Sequence, residues 1–132
     1  MSKEELDIFD TLSPQSQFKY LKNAYNAFNK SLNLYPSSTH NGKGDAFRHA
    51  YFNALNVVSI GKYYAEKLST AHENKPYKYA YEYKEKNMDL FNNNTGRNYG
   101  ELRYLSPLGD TYDNIYRANW ARHDSKLIPT NQ

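Results

Sequence analysis

The sequence predicts an all-α fold, a single compact bundle of about five or six helices, and three observations carry that prediction. Apolar residues recur at three- and four-residue spacing in several segments, the period of a helix face. No segment alternates apolar and polar residues with β-branched enrichment, as a half-buried strand would. Gly, Pro and cap-forming residues are sparse and fall where those helical stretches should begin and end. At 132 residues the chain suffices for one core, so one helical domain is expected over 1–132, its core at about 13–123 and its tail, 124–132, loose.

The opening "MSKEELDIFDTL" is acidic and amphipathic. It has no apolar run long enough for a signal peptide or a membrane span, so the expected location is the cytoplasm, or outside the cell by a leaderless route. Ser13-Pro14 reads as an N-cap followed by Pro at the first helical position. Phe18, Leu21, Tyr25, Phe28 and Leu32 then mark an amphipathic helix ending near Tyr35-Pro36. "PSSTHNGKG", Pro36 to Gly44, is rich in turn residues and reads as a loop. Next, Phe47, Ala50, Tyr51, Ala54, Leu55 and Val58 form the most regular apolar stripe in the chain. Ser59-Ile60-Gly61 predicts a break, after which Tyr64, Leu68 and Ala71 mark a short helix ending at His72-Glu73-Asn74. Pro76 can start "YKYAYEYKEKNMDLFNNNTGR", expected to stay helical through its Asn run. "YLSPLGD", Tyr104 to Asp110, is a second loop, and Asp110 can cap a last helix carrying Tyr112, Ile115, Tyr116, Ala118 and Trp120.

The chain has no Cys, which excludes disulfides, thiolate zinc sites and a thiol nucleophile. Any metal must be held by His, Asp, Glu or Asn. A net charge of +3 falls short of the concentrated Lys/Arg stripe of a phosphate-backbone binder, so the sequence gives no strong nucleic-acid signal. The 14 Tyr residues suit amphipathic helix packing, ring inward and hydroxyl at the surface.

Within "GDAFRHAYFNAL", Asp45, His49 and Asn53 follow one another at four-residue steps, with Asn56 beside them, roughly opposite the Phe47/Ala54/Val58 stripe. A solvated face would carry Lys, Glu and Gln, which are good helix formers; Asp, His and Asn are poor ones. Their presence implies that side-chain identity matters there. Downstream, "AHE" places His72 and Glu73 at a helix end, and "MDLFNNNTGR" places Asp89, Asn93 and Arg97 on one face, with Asn92 beside them. Three helices thus offer oxygen and imidazole groups, the way metal sites in helical bundles are built.

The expected metal ligands are His49, His72 and Asp89, and the expected ion is zinc, manganese or magnesium. Adjacent residues on a helix point about 100° apart, so His72 and Glu73 could both reach one ion only if the helix ends there. The expected catalytic residues are His49, Asp45, Glu73 and Arg97; the expected substrate-binding residues are Arg48, Asn53, Asn92 and Asn93. Arg48 and Arg97 also suit an anionic group, since guanidinium offers a planar fork to phosphate or carboxylate. His40 and His123 are single histidines with no evident partner.

The order His49, His72-Glu73, Asp89 is a loose echo of the His, His-Asp, Asp ligand order of helical metal phosphohydrolases. "RHAYFNA" is superficially similar to the Arg-His-Asp helix of secreted phospholipases A2, but Ala50 stands where their Asp does and the supporting Cys residues are absent. Taken as a set, "GDAFRHAYFNAL", "TAHE" and "MDLFNNNTGR" resemble a bacterial all-helical domain family of unknown function with the pattern GDAFRHAxxNAL, AHE, MDLxNNxxGR. The resemblance spans about Asn41 to Gly100 and departs at Phe91, where many members have His. It implies a shared site at the matching positions and, through family members in toxin-like proteins, an effector setting with a cognate immunity or delivery protein as partner.

The resulting expectation is a hydrolase, metal-assisted, acting on a phosphoester or related anionic substrate. The alternative is a non-enzymatic interaction module whose polar residues form a buried network that fixes helix register. A nucleic-acid-binding domain is a third class, which would show steep salt dependence.

Overall fold

A computed structural model of the chain describes residues 1–36, 43–74 and 79–104, with the side chains of 43, 99 and 101–104 left aside. Among the described residues every regular element is a helix: α1 (Lys3–Asp10), α2 (Pro14–Leu34), α3 (Lys43–Ile60), α4 (Lys62–Glu73) and α5 (Ala80–Tyr104). The predicted last helix, the start at Pro76, His40 and His123 lie outside the described residues.

The starts and breaks follow local chemistry. Ser13 caps α2, its hydroxyl accepting from the Ser16 N–H at 3.2 Å, with Pro14 at the first helical position. Gly61 separates α3 from α4 at φ +89°, a conformation that glycine adopts without penalty. α1 is secured by a capping box: the Ser2 hydroxyl accepts from the Glu5 N–H, and the Glu5 carboxylate accepts from the Ser2 N–H. Ile8 and Phe9 of α1 pack against a buried cluster of Leu12, Tyr20 and Leu68, so packing begins before the expected core limit at residue 13.

α3 is the hub, packing against α2, α4 and α5. Its predicted stripe is buried at Phe47, Ala50, Tyr51, Ala54 and Leu55, and the opposite face is buried too, at Asp45, Asn53 and Asn56. The approach of α5 is closest where it carries no side chain. A Cβ on Gly100 would stand 2.6 Å from the Ala54 carbonyl oxygen, and one on Gly96 would overlap the Ala50 backbone outright.

α2 turns differently from its sequence pattern. The buried residues are Tyr20, Asn23, Ala27 and Ser31, while Phe18, Leu21, Tyr25, Phe28 and Leu32, the predicted inward stripe, are all exposed. Polar contacts explain the rotation: Asn23 donates to Asn56 at 3.0 Å and to Ser59 at 3.1 Å, and the Ser31 hydroxyl donates to the Gly44 carbonyl at 2.6 Å. Small and amide side chains let α2 lie close on α3 where Phe and Leu would hold it off.

Candidate functional site

His49 sits on α3 where α4 and α5 both reach it. Its Nε2 is 3.4 Å from Asp45 Oδ1, one turn back, and 3.4 Å from Asp89 Oδ1 on α5; its Nδ1 is 3.1 Å from Asn93 Oδ1. Glu73, the last residue of α4, brings Oε1 to 3.7 Å from Nδ1. Ligand-type atoms of Asp45, His49 and Asp89 all lie within 4.8 Å of one another.

An amide chain fixes which His49 nitrogen is which. Arg97 can only donate, and its Nη1 donates to Asn53 Oδ1 at 3.2 Å. The Asn53 amide nitrogen is thereby turned to donate to the His49 carbonyl at 2.8 Å and to Asn93 Oδ1 at 2.9 Å. Asn93 Oδ1 is an acceptor, so the His49 nitrogen beside it, Nδ1, carries hydrogen. In the neutral ring the Nε2 lone pair then points at the Asp45 and Asp89 carboxylates, the arrangement that metal-ligating histidines obtain from their outer partners. Ser69 of α4 holds the far end, accepting from the same Arg97 Nη1 at 2.6 Å.

Acids outnumber donors here. Glu73 Oε1 and Asp89 Oδ1 are buried, and neither has a hydrogen-bond partner among the described residues. Burial raises the Asp89 pKa to about 7; the His49 ring pulls it down, and the Glu73 and Asp45 carboxylates push it up. Burial pulls the His49 pKa down, but the Asp45, Asp89 and Glu73 carboxylates outweigh it and hold the ring above its ordinary value. Such a pocket is satisfied by protons or by a cation.

Of the predicted site residues, Asp45, His49, Asn53, Glu73, Asp89, Asn93 and Arg97 come together. Asn92 is fully buried on the same helix. Arg48 pairs with Asp45 at 2.7 Å and keeps its side chain about one third exposed, at 34%. Two expectations change. His72, expected as a metal ligand, gives Nδ1 to Glu5 Oε1 at 2.9 Å and is not in the His49 group, whereas Asp45 is. The cause is the angle between neighbours on a helix: with Glu73 turned to His49, His72 faces α1. Arg97, expected to hold an anion, is 6% exposed and aims Nη1 at Asn53 and Ser69. Phe91 is 47% exposed, two residues along the helix from Asp89 and so on another side, where a His would not meet His49.

Three participants were not anticipated from sequence: Ser69, Glu5 and Tyr20. Glu5 accepts from His72, from the Ser2 N–H at 3.3 Å and from the Tyr20 hydroxyl at 2.5 Å. Ser2 and Glu5 stand in the Ser-x-x-Glu spacing of a capping box, a signal that could have marked Glu5. Ser69 gave none.

A family model described as a domain of unknown function (DUF6973) matches residues 9–114. The chain belongs to that family. The match to DUF6973 takes in α2 to α5 and so every residue of the His49 group. No curated protein and no solved structure matches the chain.

Proposed function

We propose that this DUF6973 chain is a metal-assisted hydrolase acting on a phosphoester or related anionic group. The observation that carries the proposal is the convergence of Asp45, His49 Nε2 and Asp89 within 4.8 Å, with Nε2 freed by the Arg97–Asn53–Asn93 chain. The Glu73 and Asp89 oxygens that have no hydrogen-bond partner among the described residues fit a cation, and a His-carboxylate donor set suits zinc, manganese or magnesium. Bound there, such an ion would supply a water of lowered pKa and a Lewis acid for the substrate oxygen.

The protein's own part is divided among named groups. Asp45, His49 and Asp89 would hold the ion, Asn93 and Asn53 keep the ring turned, and Glu73 would serve as the base for a water molecule. Arg48 is the group left to meet the substrate anion. The motif resemblance set out from the sequence would extend the proposal to an effector role, with a cognate immunity or delivery protein as partner.

The second reading, a non-enzymatic module, rests on the same Arg97–Asn53–Asn93 chain seen as a device that locks helix register. Elemental analysis of untagged protein after dialysis against each metal separates the two. One equivalent of metal, lost in His49→Ala and in Asp89→Ala, is expected. No metal in the parent protein, with a large fall in thermal stability for both variants, would establish the module instead.

A further inference from the structure

α2 has two faces. Tyr20, Asn23, Ala27 and Ser31 hold it to the bundle, while Phe18, Leu21, Tyr25, Phe28 and Leu32 look away from it, 41% to 68% exposed. One such side chain on a surface is ordinary, but a continuous row of five, three of them aromatic, is the kind of patch that marks an interaction site. The steps along the row are three, four, three and four residues, the heptad spacing at which one helix seats on another. Lys22 and Asn29 border it on one side, so the row is a narrow seam rather than a broad apolar face.

The last four residues of the row read the same from either end. Leu21, Tyr25, Phe28 and Leu32 are spaced four, three and four, with a leucine at each end and two rings between. A twofold contact demands this of a surface, because residue i meets residue j and j meets i. Laid antiparallel on a second copy, with the axis midway between 25 and 28, the row sets Leu21 against Leu32 of that copy and Tyr25 against its Phe28, each pair occurring twice. Charge favours the same arrangement. α2 has three lysines and no acid, so it has no ion pair to offer its own copy and must keep like charges apart. In the antiparallel pair each Lys22 lies opposite Ser31 of the second copy, nine residues and about 13 Å along the axis from that copy's Lys22, beyond the screening length of physiological salt. A parallel pair would set the two lysines level.

We propose that α2 is a self-association surface, on which two copies of this chain pair antiparallel through Leu21, Tyr25, Phe28 and Leu32. At those exposures the row leaves on the order of 600 Å² of apolar surface open. Two copies then bury about 1,200 Å², the lower end of specific interfaces, so the dimer forms and dissociates with concentration. None of these residues belongs to the His49 group, and the inference stands apart from the hydrolase reading.

Sedimentation velocity of the untagged full chain, from micromolar to sub-millimolar concentration, tests this. The mean mass is expected to rise from 15.4 kDa toward twice that value. Tyr25→Asp is expected to stay monomeric throughout and to keep a thermal melt close to the parent's, since Tyr25 is among the most exposed side chains of the row. Should that variant unfold, Leu21→Lys decides in the same way. The chain has no cysteine of its own, so single Cys variants report the direction of pairing. With a short bismaleimide, Leu21→Cys mixed with Leu32→Cys should couple, and Leu21→Cys alone should not. A mass of 15.4 kDa at every concentration overturns the proposal, whatever else covers the face. A dimer that survives Tyr25→Asp or Leu21→Lys, or Leu21→Cys that couples to itself, overturns the antiparallel α2 seam. A monomeric parent that binds vesicles of phosphatidylcholine and phosphatidylglycerol, with binding lost in Tyr25→Asp, assigns the row to a membrane surface and overturns it too.

Discussion

Among the described residues His49 faces three carboxylates, from Asp45, Glu73 and Asp89, at 3.4 to 3.7 Å, whereas His72 faces one, from Glu5, at 2.9 Å. Around His72 the accounts balance: burial raises the Glu5 pKa, but His72, Tyr20 and Ser2 outweigh it and hold the carboxyl below its ordinary value. Around His49 they do not, because two buried oxygens lack donors among the described residues and one acid is pushed to about 7. Both histidines lie beside an acid, so that feature alone does not tell the two groups apart. What distinguishes the His49 group, among the described residues, is an excess of acceptors over donors, the kind of imbalance that calls for an explanation in a buried cluster.

Three measurements would break or sharpen that contrast. The largest effect is expected from Gly96→Val, which forces a side chain into the Ala50 backbone: a loss of roughly 3 kcal/mol or more in urea denaturation, or failure to fold. A mild effect there would mean that α3 and α5 are not held as close as the His49–Asn93 contact requires.

Next is Asp89→Asn. With its folded-state pKa raised from 3.8 to about 7, Asp89 binds more protons folded than unfolded, so metal-free stability should fall as pH rises from about 4 to 7 and level off above. The raised His49 pKa acts in the same sense: its stabilisation is complete below its unfolded value and is lost as pH rises through the folded one. Asp89→Asn should flatten this fall and stabilise the metal-free protein by about 1 kcal/mol at pH 8, since an amide can donate to Glu73. Thermal melts across pH would show it; a destabilised variant would place Asp89 in a balanced network like that of Glu5.

The smallest effect is expected from His72→Ala. It removes one half-exposed partner of Glu5, worth about 0.5 kcal/mol in chemical denaturation, and leaves metal stoichiometry unchanged. A loss of bound metal would return His72 to the site.

Much of the fold could be read from the chain because its signals are local. Ser13-Pro14, the Phe47–Val58 stripe and the break at Gly61 depend on neighbours in sequence, and each lies where expected. The rotation of α2 was not legible. Apolar spacing locates a stripe but does not say whether its partner surface is apolar, and here amides and small residues of α3 claim the other face. That α3, α4 and α5 would each bring polar side chains toward His49 could be anticipated from residue type, although the ligand set read from sequence is His49, His72 and Asp89, whereas the three that meet are Asp45 and His49 of α3 and Asp89 of α5. The division between His72 and Glu73 could not, because it turns on where α4 ends against α1, a long-range matter.

Gly96 and Gly100 stand four residues apart, as do the Ala50 and Ala54 carbonyls that fill the space above them. Four residues of helix advance about 6 Å, so the seam has two teeth and two notches at one pitch. A slide of a single residue would set a side chain against a carbonyl at both points. The offset between α3 and α5 is accordingly indexed rather than adjustable, and the line-up of His49 with Asp89 and Asn93 comes with that index, whole or not at all.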